Sequence, residues 1–308
     1  MSIRDALAGY IAVRRALGSK FREPAVTLGH FVEFLEREKA ACITTNLALR
    51  WASKPERVQR ATWARRLSMV RRFATWLSTF DPRTEVPPTR LLNVRHRRPK
   101  PYIFTDQEIE RLMAEAARLS SPRGLRALTH QTLIGLLAAC GLRPGEALAL
   151  DLRDVDLENG ILAIRETKFG KSRFVPIDDS AVAALAHYGE RRNRLVPRSG
   201  GFLVSEDGTR LTGDSARRTF ANISRAVGLR RTDDRRVGRG PRLQDMRHTF
   251  ATRKLIAWYR AGLDVTRELP KLSTYLGHKR VSDTYWYIEA VPELLSLATE
   301  RMSRGGAP

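Results

Sequence analysis

Four short stretches of this chain collect side chains that can handle a phosphate group: residues 141–150 (GLRPGEALAL), 167–177 (TKFGKSRFVPI), 243–252 (LQDMRHTFAT) and 275–288 (YLGHKRVSDTYWYI). Arg143 and Arg247 each present a planar fork of N–H donors that matches two phosphate oxygens, which a lysine point charge does less specifically. Glu146 follows Arg143 by three residues, so on a helix both share a face and the carboxylate can orient the guanidinium. A weak surface ion pair is the other reading of that spacing. Tyr285 and Tyr287 lie two residues apart and so point to nearly opposite sides of a helix; only one of them can address a given phosphate. Core packing is the other reading of a Tyr-Trp-Tyr cluster built around Trp286, and Tyr285 is the one expected to fill the core; His278, just after a helix-ending glycine, also reads as a capping residue. Breaking a phosphodiester while keeping its energy needs a nucleophile that bonds to phosphorus, cations for the equatorial oxygens and an acid for the leaving alkoxide. The four stretches hold candidates for each.

The whole chain suits such a substrate. Its 55 Lys and Arg against 33 Asp and Glu give a net charge of +22 and a pI near 11.0, far beyond what solubility requires, so a polyanion is the expected partner. Residues 1–100 hold 21 basic and 8 acidic side chains, a net of +13, which makes the first third the denser cation. Counterion release from phosphates then predicts nucleic-acid binding with a steep salt dependence. An anionic membrane surface would also attract it, but no run of 18 apolar residues exists and the stretch near Ile11 is broken at Arg14 and Arg15, so a cytoplasmic, DNA-associated protein is expected. Cys42 and Cys140 are far apart, with no Cys-x-x-Cys or Cys/His cluster, and both read as buried apolar residues rather than metal ligands. No phosphate-binding GxxxxGK[ST] loop and no strand-anchored GxGxxG occurs, which excludes a nucleotide-driven motor; neither metal nor cofactor is expected.

The elements that must position these residues are mostly helical. At 308 residues the chain fits two domains. Trp63, Leu67, Val70, Phe73 and Leu77 recur at helical spacing between Gln59 and Phe80, flanked by Arg60, Arg65, Arg66, Arg71 and Arg72. A second amphipathic helix runs from Val26 to Glu38, with Leu28, Phe31, Phe34 and Leu35 inward. Residues 1–92 thus read as a helical domain, and 93–101 (NVRHRRPKP), with Arg97 and Arg98, as a basic extended linker. Residues 102–308 form the second domain. It opens with the capping box Thr105/Glu108, carries a helix that stops at Gly141 and another that starts at Pro144, and then two β-rich runs, 161–165 and 173–177, separated by the turn that holds Lys168 and Lys171. Helices resume at Ser180, at Ser215 and from Leu243 toward Arg260, with an Arg- and Gly-rich loop over 230–242. The fold class is mainly α with a small β-hairpin.

These four stretches, in this order, resemble the boxes of the tyrosine recombinases, the phage integrase family, and the resemblance runs from the first helical domain to about Arg301. It implies a helical core-binding domain and a catalytic domain that close around duplex DNA. It assigns the phosphate clamp to Arg143 and Arg247, with Glu146 as a supporting carboxylate, and places the leaving-group acid at Lys168, with Lys171 as runner-up. Two arginines nearby would lower the pKa of such a lysine. It gives His278 a contact to the scissile phosphate and makes Tyr287, nine residues later, the nucleophile. The product implied is a 3′-phosphotyrosine and a free 5′ hydroxyl, resealed by a partner strand, in a homotetramer on DNA with or without sibling or accessory proteins. One position departs from the family pattern: Gln244 stands where histidine is usual, and an amide donates a hydrogen bond but cannot carry a proton. The neighbouring His248 is expected to point about 100° away from Arg247. Reduced or context-dependent activity is the expectation. The segment 258–271 is longer than the family's link before LGH, and the apolar run of Leu294, Leu295, Leu297 and Ala298 reads as a short helix that needs a host. The rivals are a type IB topoisomerase, which shares the chemistry, and a DNA-binding accessory protein that has lost cleavage.

Overall fold

The computed structural model describes residues 2–56, 58–92, 100–165, 172–231, 240–278 and 280–290. The chain divides into two units, Met1–Pro99 and Lys100–Pro308. The first is built from α1 (Ile3–Ala16), α2 (Arg22–Arg37), α3 (Thr45–Ser53) and α4 (Arg60–Leu77). Ser2 and Asp5 form a capping box that starts α1. The expected stripe of α2 and that of α4 meet in one buried cluster, where Phe31, Leu35, Leu67, Val70 and Phe73 are joined by Trp51 of α3. The second helix begins earlier than the expected Val26, because Pro24 is tolerated in a first turn whose N–H groups have no intrahelical acceptor.

The second unit comprises α5 (Asp106–Ala117), α6 (Leu125–Cys140), α7 (Pro144–Ala149), β1 (Val155–Asp156), β2 (Ile161–Ile164), β3 (Arg173–Pro176), α8 (Asp179–Leu195), α9 (Gly213–Ala226), α10 (Leu243–Arg260), α11 (Val265–Leu276) and α12 (Ser282–Ala290). Helices with one small antiparallel sheet, ordered β1-β2-β3, give the expected α+β class. Opposite Leu162 on β2 stands Val175 on β3, and opposite Ile164 stands Arg173; Leu162, Ile164 and Val175 are buried. Helix α6 lies in the middle of the core, with Leu133, Ile134 and Leu137 inward. It stops at Gly141, which is left-handed (φ +58°) and lies against the ring of Phe250, so no side chain fits there. A second cluster, comprising Phe250, Leu255, Leu269, Leu272, Leu276 and Tyr287, packs α10, α11 and α12 together.

Several expectations are refined or fall outside this description. The long segment 258–271 is the last turn of α10, a turn at Gly262 and the first half of α11. Cys140 is buried as expected, but Cys42 is only half-buried. Most of the basic linker (93–99, including Arg97 and Arg98), the hairpin turn 166–171 with Lys168 and Lys171, residues 232–239 of the Arg-rich loop and everything from residue 291 on lie outside the described residues. Among the described residues no helix is long and apolar enough to cross a membrane.

Candidate active site

The C-terminal end of α11 is the hub of the site. A helix leaves its last carbonyls without intrahelical donors and gathers partial negative charge there. Backbone N–H groups of Gly277 and His278 turn back onto Thr274 and Ser273, which leaves the next three carbonyls to side chains. Arginines take them. Arg173 Nε donates to Tyr275 O (2.7 Å), Arg247 Nη2 to Leu276 O (2.6 Å), and Arg143 to Leu276 O (3.4 Å) and Gly277 O (3.1 Å). Gly277 is left-handed (φ +68°), and a Cβ on it would sit 2.8 Å from Arg173 Nη1, so glycine is needed for both reasons.

Glu146 is the counter-charge. It sits in the first turn of α7, where proline at the helix start and a carboxylate that accepts the backbone N–H of Arg143 (3.1 Å) fix the approach of the chain. Its Oε1 accepts from Arg143 Nη1 (2.7 Å) and Arg173 Nη1 (3.2 Å), and its Oε2 from Arg173 Nη2 (2.8 Å). Burial acts to raise this carboxyl, but Arg173 and then Arg143 outweigh it and hold the group below the usual glutamate range. With its side chain only 7% exposed, Glu146 is no surface ion pair.

Arg247 is fully buried on α10, where Nη1 also donates to Gly141 O (2.9 Å). Burial pulls its pKa down to about 10; the Tyr287 hydroxyl, in hydrogen-bonding reach, and Glu146 work against that, while Arg143 adds to it. The guanidinium therefore keeps its proton at neutral pH. The ring of Tyr287 stacks on His278 (centroids 5.9 Å apart, planes 22° apart), and His278 Nδ1 is 2.8 Å from the Thr284 hydroxyl. Burial first, then Arg247 and Arg143, push His278 down to about 4, so it is a neutral imidazole at physiological pH.

Of the sequence candidates, Arg143, Glu146, Arg247, His278 and Tyr287 are thus brought together, and Gln244 lies one turn before Arg247 on α10, half-buried. Lys168 lies outside the described residues. Tyr285 is 45% exposed and Tyr287 3%, so of the two tyrosines it is the one facing the arginines that is packed; the expectation that Tyr285 fills the core does not hold. His248 follows Arg247 on α10 and so is turned about 100° from it, but α10 is buried on nearly all sides and the His248 ring still lies 5.4 Å from that of Tyr287. Arg173 is a further member that the sequence reading missed. Its signal was its parity with Val175 on β3, which places an arginine on the inward face of a strand and calls for a buried carboxylate. Among the described residues no cluster of three or more His, Cys, Asp or Glu could hold a metal ion.

The arginines expected to line DNA from α4 separate into two sets. Arg60 and Arg72 are exposed, and Arg65 forms an exposed ion pair with Glu23. Arg66 and Arg71 are engaged in the fold: Arg66 lies over the Trp51 ring (3.7 Å) and donates to Trp51 O (3.0 Å), while Arg71 donates to the carbonyls of Pro87 and Pro88 (2.6 Å each). Their flanking positions bring them against neighbouring backbone, so they hold the unit together and are not free cations.

Comparison with known proteins gives consistent matches. The phage integrase family model matches residues 103–293. The chain is 44% identical, over 98% of both chains, to y4rB of Sinorhizobium fredii, whose name calls it an integrase/recombinase. It is 33% identical, over 77% of this chain and 73% of the other, to tyrosine recombinase XerD of Caulobacter vibrioides. Among solved structures, the Tn1549 transposon integrase in complex with transposon right end DNA covers all of this chain, and is itself wholly covered, with a TM-score of 0.68 at 17% identity. XerH bound to its difH substrate covers 90% of this chain and is covered over 77%, with a TM-score of 0.59 at 19% identity.

Proposed function

The chain belongs to the phage integrase family of tyrosine recombinases, and from that premise we propose that Tyr287 attacks a DNA phosphodiester clamped by Arg143 and Arg247. Attack forms the tyrosyl–phosphorus bond and breaks the bond to the 5′ oxygen, which leaves protonated; the 5′ hydroxyl of a partner strand reverses the step. Because each ester replaces another, strand exchange needs no nucleotide. The observation that carries the reading is the convergence of three groups: Arg143 and Arg247 donate to the same carbonyl, and the Tyr287 hydroxyl is in reach of Arg247. Both arginines supply preorganised donors for the charge that builds on phosphorus-bound oxygens, neutral His278 supplies a further N–H, and Lys168 supplies the leaving-group proton. The Met1–Pro99 unit grips the duplex through cations such as Arg60, Arg65 and Arg72, and Arg97 and Arg98 extend that contact. Four protomers assemble on DNA through the apolar segment after Pro292, and the substrate is an end or junction of a mobile element.

The test uses a nicked suicide duplex that carries the candidate site, incubated with the protein in chelator and resolved on a denaturing gel. A covalent adduct that disappears in Tyr287→Phe and persists in Tyr285→Phe supports the assignment; an adduct that survives Tyr287→Phe overturns it. Recombinant product rather than relaxed plasmid separates strand exchange from relaxation. Gln244 favours a second reading, a DNA-binding accessory protein of the same fold, and tight binding without adduct would select it.

A further inference from the structure

We propose that Arg173 is a positioning residue whose task is to hold Glu146 so that the carboxylate cannot capture both arms of the Arg143 fork. The proposal rests on the phosphate-clamp reading above. Glu146 has two oxygens, and two guanidiniums compete for them. Arg173 spans both of them, with Nη1 on Oε1 and Nη2 on Oε2, and its own side chain is only 12% exposed. Arg143 is left with one arm on Oε1, while its other arm rests on Gly277 O and its side chain stays 36% exposed.

A guanidinium and a carboxylate prefer the two-pronged arrangement, in which both arms bond both oxygens. If Arg173 did not occupy Oε2, Arg143, whose Nη1 is already 2.7 Å from Oε1, would be placed to turn its second arm onto that oxygen. As the site stands, the second arm of Arg143 rests only on the neutral carbonyl of Gly277, which a phosphate displaces more readily than it would a carboxylate that held both arms. Arg173 also anchors itself through Nε on Tyr275 O, one residue before the carbonyl shared by Arg143 and Arg247. A lysine at 173 would keep the charge but lack the planar fork needed to bridge both oxygens and the carbonyl together. Arg173 thus acts through Glu146 and touches no reacting atom in this reading.

The geometry makes an unusual prediction: removing the carboxylate should repair the loss of the arginine. We would compare the wild type, Arg173→Met, Arg173→Lys, Glu146→Gln and the Arg173→Met/Glu146→Gln double variant in single-turnover adduct formation on the suicide duplex. Arg173→Met is expected to slow adduct formation about 10- to 100-fold, part of the effect of losing one preorganised donor, with duplex affinity within about two-fold because phosphate contacts elsewhere dominate binding. The double variant is expected to be at least about three-fold faster than Arg173→Met, because a neutral amide does not hold a guanidinium in the two-pronged mode. A merely structural role for Arg173 gives the opposite, a double variant as slow as the single or slower. Should Arg173→Met fail to fold, as shown by a lost thermal transition, the same comparison is made with Arg173→Lys alone and combined with Glu146→Gln.

A second readout needs no cleavage: the rate at which phenylglyoxal labels Arg143 in the free protein, followed by peptide mass spectrometry. Labelling is expected to slow about three-fold in Arg173→Met and to recover in the double variant, as a doubly paired guanidinium is less accessible. Unchanged labelling together with wild-type adduct rates in Arg173→Met and Arg173→Lys, or a double variant no faster than the single, overturns the proposal. If the wild type forms no adduct, the cleavage reading fails on its own, and the labelling experiment still decides the role of Arg173.

Discussion

Gly277 and Gly262 both adopt left-handed backbone, at φ +68° and +69°, yet a Cβ meets very different surroundings at the two positions. At Gly262 it meets nothing within 4 Å, so alanine there costs only the conformational penalty of about 1 kcal/mol. At Gly277 it would lie 2.8, 3.0 and 3.2 Å from Nη1, Cζ and Nε of Arg173. Those atoms span the guanidinium, so rotating one arm aside does not relieve the contact and the whole group must shift. At least one charged hydrogen bond of Arg173 is then lost, which adds about 1.5–3 kcal/mol. Gly277→Ala is therefore expected to lower the stability of the Lys100–Pro308 unit by at least about 1.5 kcal/mol more than Gly262→Ala does. At 2–4 °C per kcal/mol for a unit of this length, the separation is at least about 3 °C. Differential scanning calorimetry of the full chain reads this from the transition of that unit. Equal shifts for the two variants, within about 1 °C by the same scaling, would refute the packing of Arg173 against the turn.

Further expectations concern charge and proton transfer. His248 and His278 are both held down to about 4, chiefly by burial, whereas in the unfolded chain they titrate near 6.5. Below that value the unfolded state takes up protons that the folded state refuses, so stability present at pH 7.5 is lost as pH falls from about 6.5 toward 4; the full shift is worth about 3 kcal/mol per histidine, or roughly 2 kcal/mol once discounted for the solvent that still reaches each ring; His278→Gln is expected to flatten the slope of Tm between pH 7 and 5, and an unchanged slope counts against a buried neutral imidazole. Gln244→His, which adds a proton carrier one turn before Arg247, is expected to raise the rate of adduct formation about ten-fold or more, and a rate at or below that of the wild type would mean that this position does not limit proton transfer. Arg72→Ala is expected to weaken duplex binding and to reduce the salt slope by about one unit, measured by fluorescence anisotropy at several salt concentrations. Arg71→Met, whose donors are committed to Pro87 O and Pro88 O, is expected to leave that slope unchanged and instead to destabilise the first unit by about 1–3 kcal/mol.

Much of the framework was legible because it is encoded locally. The capping box at Thr105 and Glu108, the stop at Gly141 and the proline start at Pro144 depend only on residues within a few positions of each other. The stripes of α2 and α4 were readable because each helix has one buried face. The site residues that a motif carries, Arg143, Glu146, Arg247, His278 and Tyr287, were named from sequence. Arg173 and His248 were missed because what makes them members of the site is distant in the chain. The partner of Arg173 is 27 residues away, on α7, and His248 meets Tyr287 only because α12 packs on α10. Arg66 and Arg71 show the reverse error: in a sequence rich in arginine, flanking cations look free until the backbone that returns to meet them is placed.

The carbonyl of Leu276 receives one hydrogen bond from Arg143 and another from Arg247. Two charges contributed by segments more than a hundred residues apart therefore share one reference oxygen, as two rulers share a zero mark, while Gly141 O steadies one of them and Glu146 the other. Their spacing is thus pinned at both ends, whereas their aim relative to Tyr287, eleven residues downstream, depends on the chain that follows. Natural variation along 277–281 would then adjust how the nucleophile meets the clamp without altering the width of the clamp itself.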